Sequence, residues 1–279
     1  MRDWWLKIQS AKKHMVDIQE AARAYASSQP YSFIRINLPD ATNQIGYTFR
    51  IIKQPDPMIA VMLGDFIHNL RSALDYVAVA CAPRKYRYET AFPIVRQDIF
   101  AKDESGEFVV KDSKIRKDFE SKIQWINTEA KALILRLQPY QFGNLAPRIV
   151  LGIISRLENA DKHRELITIG CGGRDFIASF IIPDLPEPIP YHQSLAVGSD
   201  FLKHDTPIVF NLPSNVIGTN GTPLLLSEVD MHFAGTAKIL VKVSGIEENQ
   251  MLLDSILNTA FFDVSDTVKL LEQYVLKGS

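Results

Sequence analysis

Residues 64–77, GDFIHNLRSALDYV, constrain this chain more than any other stretch, because an otherwise apolar helical pattern carries a compact polar face there without lysine or glutamate. At ~100° per residue, Asp65, His68, Asn69, Arg71, Ser72, Asp75 and Tyr76 fall on one side. Leu63, Phe66, Leu70, Ala73, Leu74 and Val77 fall on the other. The polar side turns apolar again at both ends, with Met58 and Val61 before it and Val79 and Ala80 after it. The patch is therefore expected to face protein or an enclosed cleft, where its polar groups need partners.

Composition bounds the rest. A chain of 279 residues, 46% hydrophobic and 23% charged, is an ordinary globular chain with enough apolar material for one large core or two modest ones. The formal net charge of −1 gives no overall electrostatic footprint for nucleic acid or anionic membrane, so any RNA binding has to be local. Cys81 and Cys171 lack CxxC spacing and sit in apolar surroundings, which predicts reduced core thiols, neither a disulfide framework nor a zinc site. The N-terminal residues lack a continuous apolar run, and no stretch approaches ~18 uninterrupted apolar residues. The expectation is a cytoplasmic, soluble protein with no membrane segment.

Patterning predicts an α+β chain. Trp4, Ile8, Ala11, Met15, Ile18, Ala22 and Tyr25 alternate spacings of four and three, the seam of a helix over about residues 3–27. Residues 33–38 and 47–53 read as a β-hairpin around a polar turn at 40–44, and Asp56-Pro57 starts the informative helix. A surface excursion follows residue 83, with a short strand at 107–110. Helices are predicted from 113, from a cap at Asn127 or Thr128 to 137, and from 146 to 166. Strands are predicted at 166–171, 176–182, 207–211, 224–233 and 236–243, forming one sheet of four or five strands, before a long helix over 251–276. The architecture expected is a single α+β domain over 1–279: helix-rich to 166, with the N-terminal hairpin on a helical bundle, an antiparallel sheet over 167–245, and a closing helix at 250–276.

A second polar motif gives the first a meaning. Arg156, Asn159 and His163 lie three and four residues apart, and Gly152 and Ile149 continue that face. His68, Arg71 and Asp75 repeat the same spacing, so two antiparallel helices can gather a His, an Arg and a carboxylate or amide from each, framed by Asp161, Lys162 and Arg164. One reading is a buried hydrogen-bonded network that fixes how two helices meet. The other is a pocket in which His68 or His163 handles protons, Arg71 or Arg156 holds an anion, and Asp65, Asn69, Asp75 and Asn159 bind the ligand. Metal ligation by His68, Asp75, Asp161 or His163 is weighed and set aside, since Arg71 repels a cation and HExxH is absent. No cofactor is expected. The glycines at 170, 172 and 173 are followed by a strand-like segment and no helix, so they do not read as a phosphate loop. GxSxG and GxxxxGK[ST] are both absent.

These residues resemble a recurring set of bacterial proteins of unknown function, in which a GDxxHNLRSALD helix is followed by FPI, LQPY and DKHR segments. Here the segments are residues 64–75, 92–94, 137–140 and 161–164. The resemblance implies no activity and does not extend past residue 165. A second resemblance, to HEPN-type helical ribonucleases, rests on Arg156 and His163 separated by six residues. It implies metal-independent RNA cleavage at a site shared across a homodimer, with Arg156 on the scissile phosphate and His163 transferring protons. The expected role is thus a binding or interaction protein with a structural or anion-binding His/Arg/Asp cluster, and the alternative is an HEPN-like ribonuclease. The expected partners are a small anion, RNA or a second copy. An interaction protein needs an exposed apolar patch elsewhere, and the Trp4-Trp5 pair is the candidate for it.

Overall fold

A computed structural model describes residues 2–37, 44–96, 101–102, 108–109, 113–162, 167–181, 189–195, 206–211, 230–243 and 250–275. The seam at the N-terminus forms α1 (Asp3–Ser27), with Trp4, Ile8, Ala11, Met15, Ile18 and Tyr25 buried and Ala22 half-buried. It lies along α2 (Met58–Ala80), whose Leu63, Phe66, Ile67, Leu70 and Leu74 are almost fully enclosed. Each such side chain contributes roughly 1.5–3 kcal/mol of transfer free energy. The two helices run antiparallel: Lys7 Nζ donates to Asn69 Oδ1 at 3.3 Å, and Tyr25 Oη donates to the Lys53 carbonyl at 3.0 Å. Asp56 caps α2 as expected, its Oδ1 accepting from the Met58 N–H at 2.8 Å.

The predicted hairpin forms as β1 (Tyr31–Ile36) and β2 (Gln44–Ile51), while most of its turn lies outside the described residues. Two short strands, β3 (Ala101–Lys102) and β4 (Phe108–Val109), pair in the excursion. α3 (Ser113–Ile123) and α4 (Thr128–Arg136) follow, α4 capped by Asn127 Oδ1 accepting from the Ala130 N–H at 3.0 Å. The helix predicted from residue 146 begins later, as α5 (Val150–Lys162). A 3-10 segment, Pro139–Arg148, precedes it, kinked at Gly143 (φ 51°, ψ −124°), a conformation that L side chains rarely adopt. Its two prolines lack the N–H groups a longer α-helix would need.

The sheets differ from expectation in their connectivity. Strands predicted apart at 166–171 and 176–182 are one long strand, β5 (Ile169–Ile181). Segments 224–233 and 236–243 meet in another, β8 (Asp230–Lys242). Gly172 and Gly173 pair in register with Lys238 and Ala237, and a bulge after Arg174 absorbs the change in pattern, so the glycines do not end the strand. β6 (Ile189–Leu195) and β9 (Gln250–Leu252), which the sequence reading lacks, complete the antiparallel order β6-β5-β8-β9. β7 (Thr206–Asn211), expected in that sheet, instead pairs with β2 to give β1-β2-β7. The two sheets touch where Phe33 stacks on Phe233 at 3.9 Å and the Met231 N–H donates to Tyr47 Oη at 3.1 Å.

α6 (Leu253–Glu272) closes the chain against α1, α2, α5 and β8. One continuous core includes Leu257, Val264 and Leu271 of α6, Ile239 and Val241 of β8, and the apolar faces of α1, α2 and α5. The Trp4-Trp5 pair is not an exposed patch: Trp4 is buried, and the Trp5 Nε1–H reaches both Glu272 carboxylate oxygens at 3.2 Å. Among the described residues no helix is long and apolar enough to cross a membrane.

Gly152 is fixed by packing, since a Cβ built on it would lie 2.5 Å from the Ala146 carbonyl oxygen. Gly152→Ala is expected to destabilise the protein by about 1–3 kcal/mol, lowering the thermal midpoint by several degrees. Calorimetric unfolding checks this, and an unchanged midpoint would show that the 3-10 segment yields freely.

Candidate functional site

Residues 90–96 run without helix or strand, yet Thr90, Phe92, Pro93 and Val95 are buried. Backbone groups of such a segment need partners that no ladder supplies. The Ala91 N–H donates to the Lys122 carbonyl at 3.2 Å. The Phe92 N–H donates to Asp75 Oδ1 at 2.9 Å. Gln138, fully buried, takes the Val95 N–H on its Oε1 at 2.9 Å and donates Nε2 to the carbonyls of Pro93 and Ile134, each at 3.0 Å. The Tyr140 N–H completes the set on the Val95 carbonyl at 3.4 Å. Three of the four recognised segments, the α2 helix, FPI and LQPY, are therefore joined by hydrogen bonds. Gln138 is a residue the sequence reading missed, and its signal was a lone amide between an apolar helix and a proline.

Asp75 is also an ion-pair partner. Arg71 Nη2 lies 3.1 Å from Asp75 Oδ1, and Arg71 Nε lies 3.4 Å from Glu158 Oε2 on α5. The Arg71 and Glu158 side chains are only 15% and 10% exposed, so solvent screens this link weakly. Glu158, not Asn159, carries the α5 side of the cluster; the buried Ile154 and Leu157 set the packed face, and Asn159 is turned to solvent. Arg71 Nη1 is buried without a hydrogen-bond partner among the described residues. Arg156 is half-buried, and burial, with the nearby Arg96 guanidinium second, lowers its pKa from the usual arginine value.

The expectation that the α2 patch is enclosed is corrected by α2's place between two neighbours. At ~100° per residue Arg71 and Asp75 lie on one flank of the polar arc and Asn69 on the other. The first flank meets α5 and segment 90–96, and the second meets Lys7 of α1. The middle of the arc is left to solvent, where Asp65 and His68 are exposed and Tyr76 is 44% exposed. His68 therefore does not join Arg71 and Asp75. His163 and Arg164, and the side chains of Asp161 and Lys162, lie outside the described residues. Among the described residues no group of three His, Cys, Asp or Glu side chains is disposed to hold a metal ion.

The cysteines are free and buried, as expected. Burial pushes the Cys81 thiol up to about 12, and its S–H points to the Leu271 carbonyl at 3.6 Å. Burial raises Cys171 as well, while its hydrogen bond with Tyr25 pulls the other way. Comparison of the chain with family models, with curated proteins and with solved structures returns no match.

Gln138→Ala should leave the Val95 N–H and Pro93 carbonyl orphaned and cost about 2–4 kcal/mol. Urea unfolding measures this, and a loss under 0.5 kcal/mol, on the order of a surface change, would mean the segment is not held this way. Because protonated, enclosed thiols are poor nucleophiles, Cys81 and Cys171 should stay unlabelled by a thiol reagent at neutral pH and label together in denaturant.

Proposed function

We propose that this chain is a binding or interaction protein in which the polar cluster between α2 and α5 is a structural fastener and performs no chemistry. The observation that carries this reading is the use already made of Asp75: its carboxylate accepts the Phe92 N–H and pairs with Arg71, which continues to Glu158. A carboxylate committed to a backbone donor and a guanidinium is a poor proton shuttle. The signature residues of three segments then serve one buried loop, which accounts for their types without a substrate.

An anion-binding form of the same reading has its own support. The Arg71 guanidinium keeps its buried Nη1 amino group without an acceptor among the described residues, and Arg96 and Arg156 lie close enough together for one to disfavour the charge of the other. A small oxyanion between such groups would relieve that repulsion. The ribonuclease alternative uses the same Arg156 on a scissile phosphate with His163 moving protons.

One panel separates the three. Asp75→Ala should lower the thermal midpoint by several degrees, corresponding to roughly 1–3 kcal/mol for an orphaned buried partner. Parent protein should leave RNA intact in the presence of a chelator. Phosphate that raises the parent midpoint, but not that of Arg156→Gln, assigns the anion site. RNA cleavage lost in Arg156→Ala and His163→Ala at unchanged midpoints would replace the fastener reading with the ribonuclease one.

A further inference from the structure

A cleft of about 550 Å³ opens between the 3-10 segment with the start of α5 and the outer face of α6. That volume lies in the ordinary range for small-molecule sites. Leu137, Phe142, Ile149 and Leu270 are among its apolar walls, and Phe142 and Leu270 are each 44% exposed, so the greasy surface is open to a ligand. Asp263 and Asp266 line the α6 side at the solvent-exposed mouth, three residues apart and thus on one face of the helix. Asp263 makes no hydrogen bond or ion pair among the described residues.

We infer that this cleft is a binding site for a small organic cation, an apolar body bearing one protonated amine that is held by Asp263 and Asp266. The site lies at the opposite end of α5 from Glu158, so the inference goes beyond the fastener reading and can fail without it. Charge sets the ligand class. The lining holds two carboxylates and one guanidinium, Arg148, for a lining charge of −1, and Arg148 has an interaction of its own. Burial, and secondly the Asp266 charge, raise the Asp263 carboxyl above the usual carboxylate value. An amine placed between the pair offsets their mutual repulsion, whereas an anion would add to it. The apolar walls supply affinity for the ligand body and the acidic pair fixes its orientation.

The test uses the full chain with dansylcadaverine, an aromatic body on an alkyl amine, and its N-acetyl derivative, the same body with the amine capped as an uncharged amide. Fluorescence titration should show the amine binding at least tenfold more tightly than the amide. Asp263→Asn combined with Asp266→Asn should erase that difference at an unchanged thermal midpoint. Leu270→Lys, which sets a tethered ammonium at the wall, should weaken the amine tenfold or more. Equal binding of both probes, or an amine affinity indifferent to the acidic pair, would overturn the assignment. Absence of binding by either probe at millimolar concentration would overturn the cleft as a site.

Discussion

The fold depends on burying a stretch of backbone that belongs to no helix or strand. Residues 90–96 pass through the interior, and each buried N–H or carbonyl there left unpaired would cost about 1–3 kcal/mol. Proline at 93 removes one donor, and Phe92 fills core volume with no polar atom in its side chain. The N–H groups of Ala91, Phe92 and Val95 and the carbonyls of Pro93 and Val95 are met by one carboxylate, one amide and two backbone partners. Gln138 suits its place because an amide both accepts and donates, and here it does so toward an N–H and two carbonyls. A carboxylate at 138 would have no donor for the carbonyls.

The choice of Asp75 propagates outward. A partly enclosed carboxylate needs a counter-charge, and Arg71 one turn earlier supplies it at 3.1 Å. An enclosed guanidinium in turn has more donors than one carboxylate can take, and Glu158 on α5 answers it. One hydrogen bond to a loop is thereby continued through two ion pairs from α2 to α5. A network of this kind adds little net stability compared with an apolar contact, but removal of any single member strands a charge. As the structural fastener proposed above, it would select one packing of α2 on α5.

Much of this was legible in the sequence where the signal is local. The α1 seam, the Asp56 and Asn127 caps and the apolar face of α2 depend on residues within one or two turns, and the observed burial and hydrogen bonds follow them. The same periodicity groups Arg71 and Asp75 with His68, of which the structure pairs the first two and leaves His68 exposed. Glu158 was passed over because spacing from Arg156 and His163 selected Asn159, while packing follows the apolar residues at 150, 151, 153, 154 and 157. The pairing of β7 with β2 was not legible, since residues 206–211 and 44–49 are far apart in sequence and carry no local mark of their partner. The Trp4-Trp5 pair was misread because the acceptor that draws Trp5 inward, Glu272, belongs to the far end of the chain.

The same separation of local from non-local information explains why a cleft exists beside α6. A regular helix from residue 146 would replace part of the 3-10 segment that lines the cleft against Thr259, Asp263 and Leu270 of α6. Instead, the positive φ of Gly143 turns the chain, and the missing side chain of Gly152 lets the Ala146 carbonyl come down onto α5. The 3-10 segment is thus pressed over the start of α5 while Phe142 and Arg148 line the cleft facing α6. α6 divides accordingly: Leu257, Val264, Val268 and Leu271 serve the core, and the residues offset from them by about a third of a turn line the open space. Two glycines therefore separate the packed interior of this protein, where Asp75 and Gln138 are committed to segment 90–96, from a face on which Asp263 makes no hydrogen bond or ion pair among the described residues.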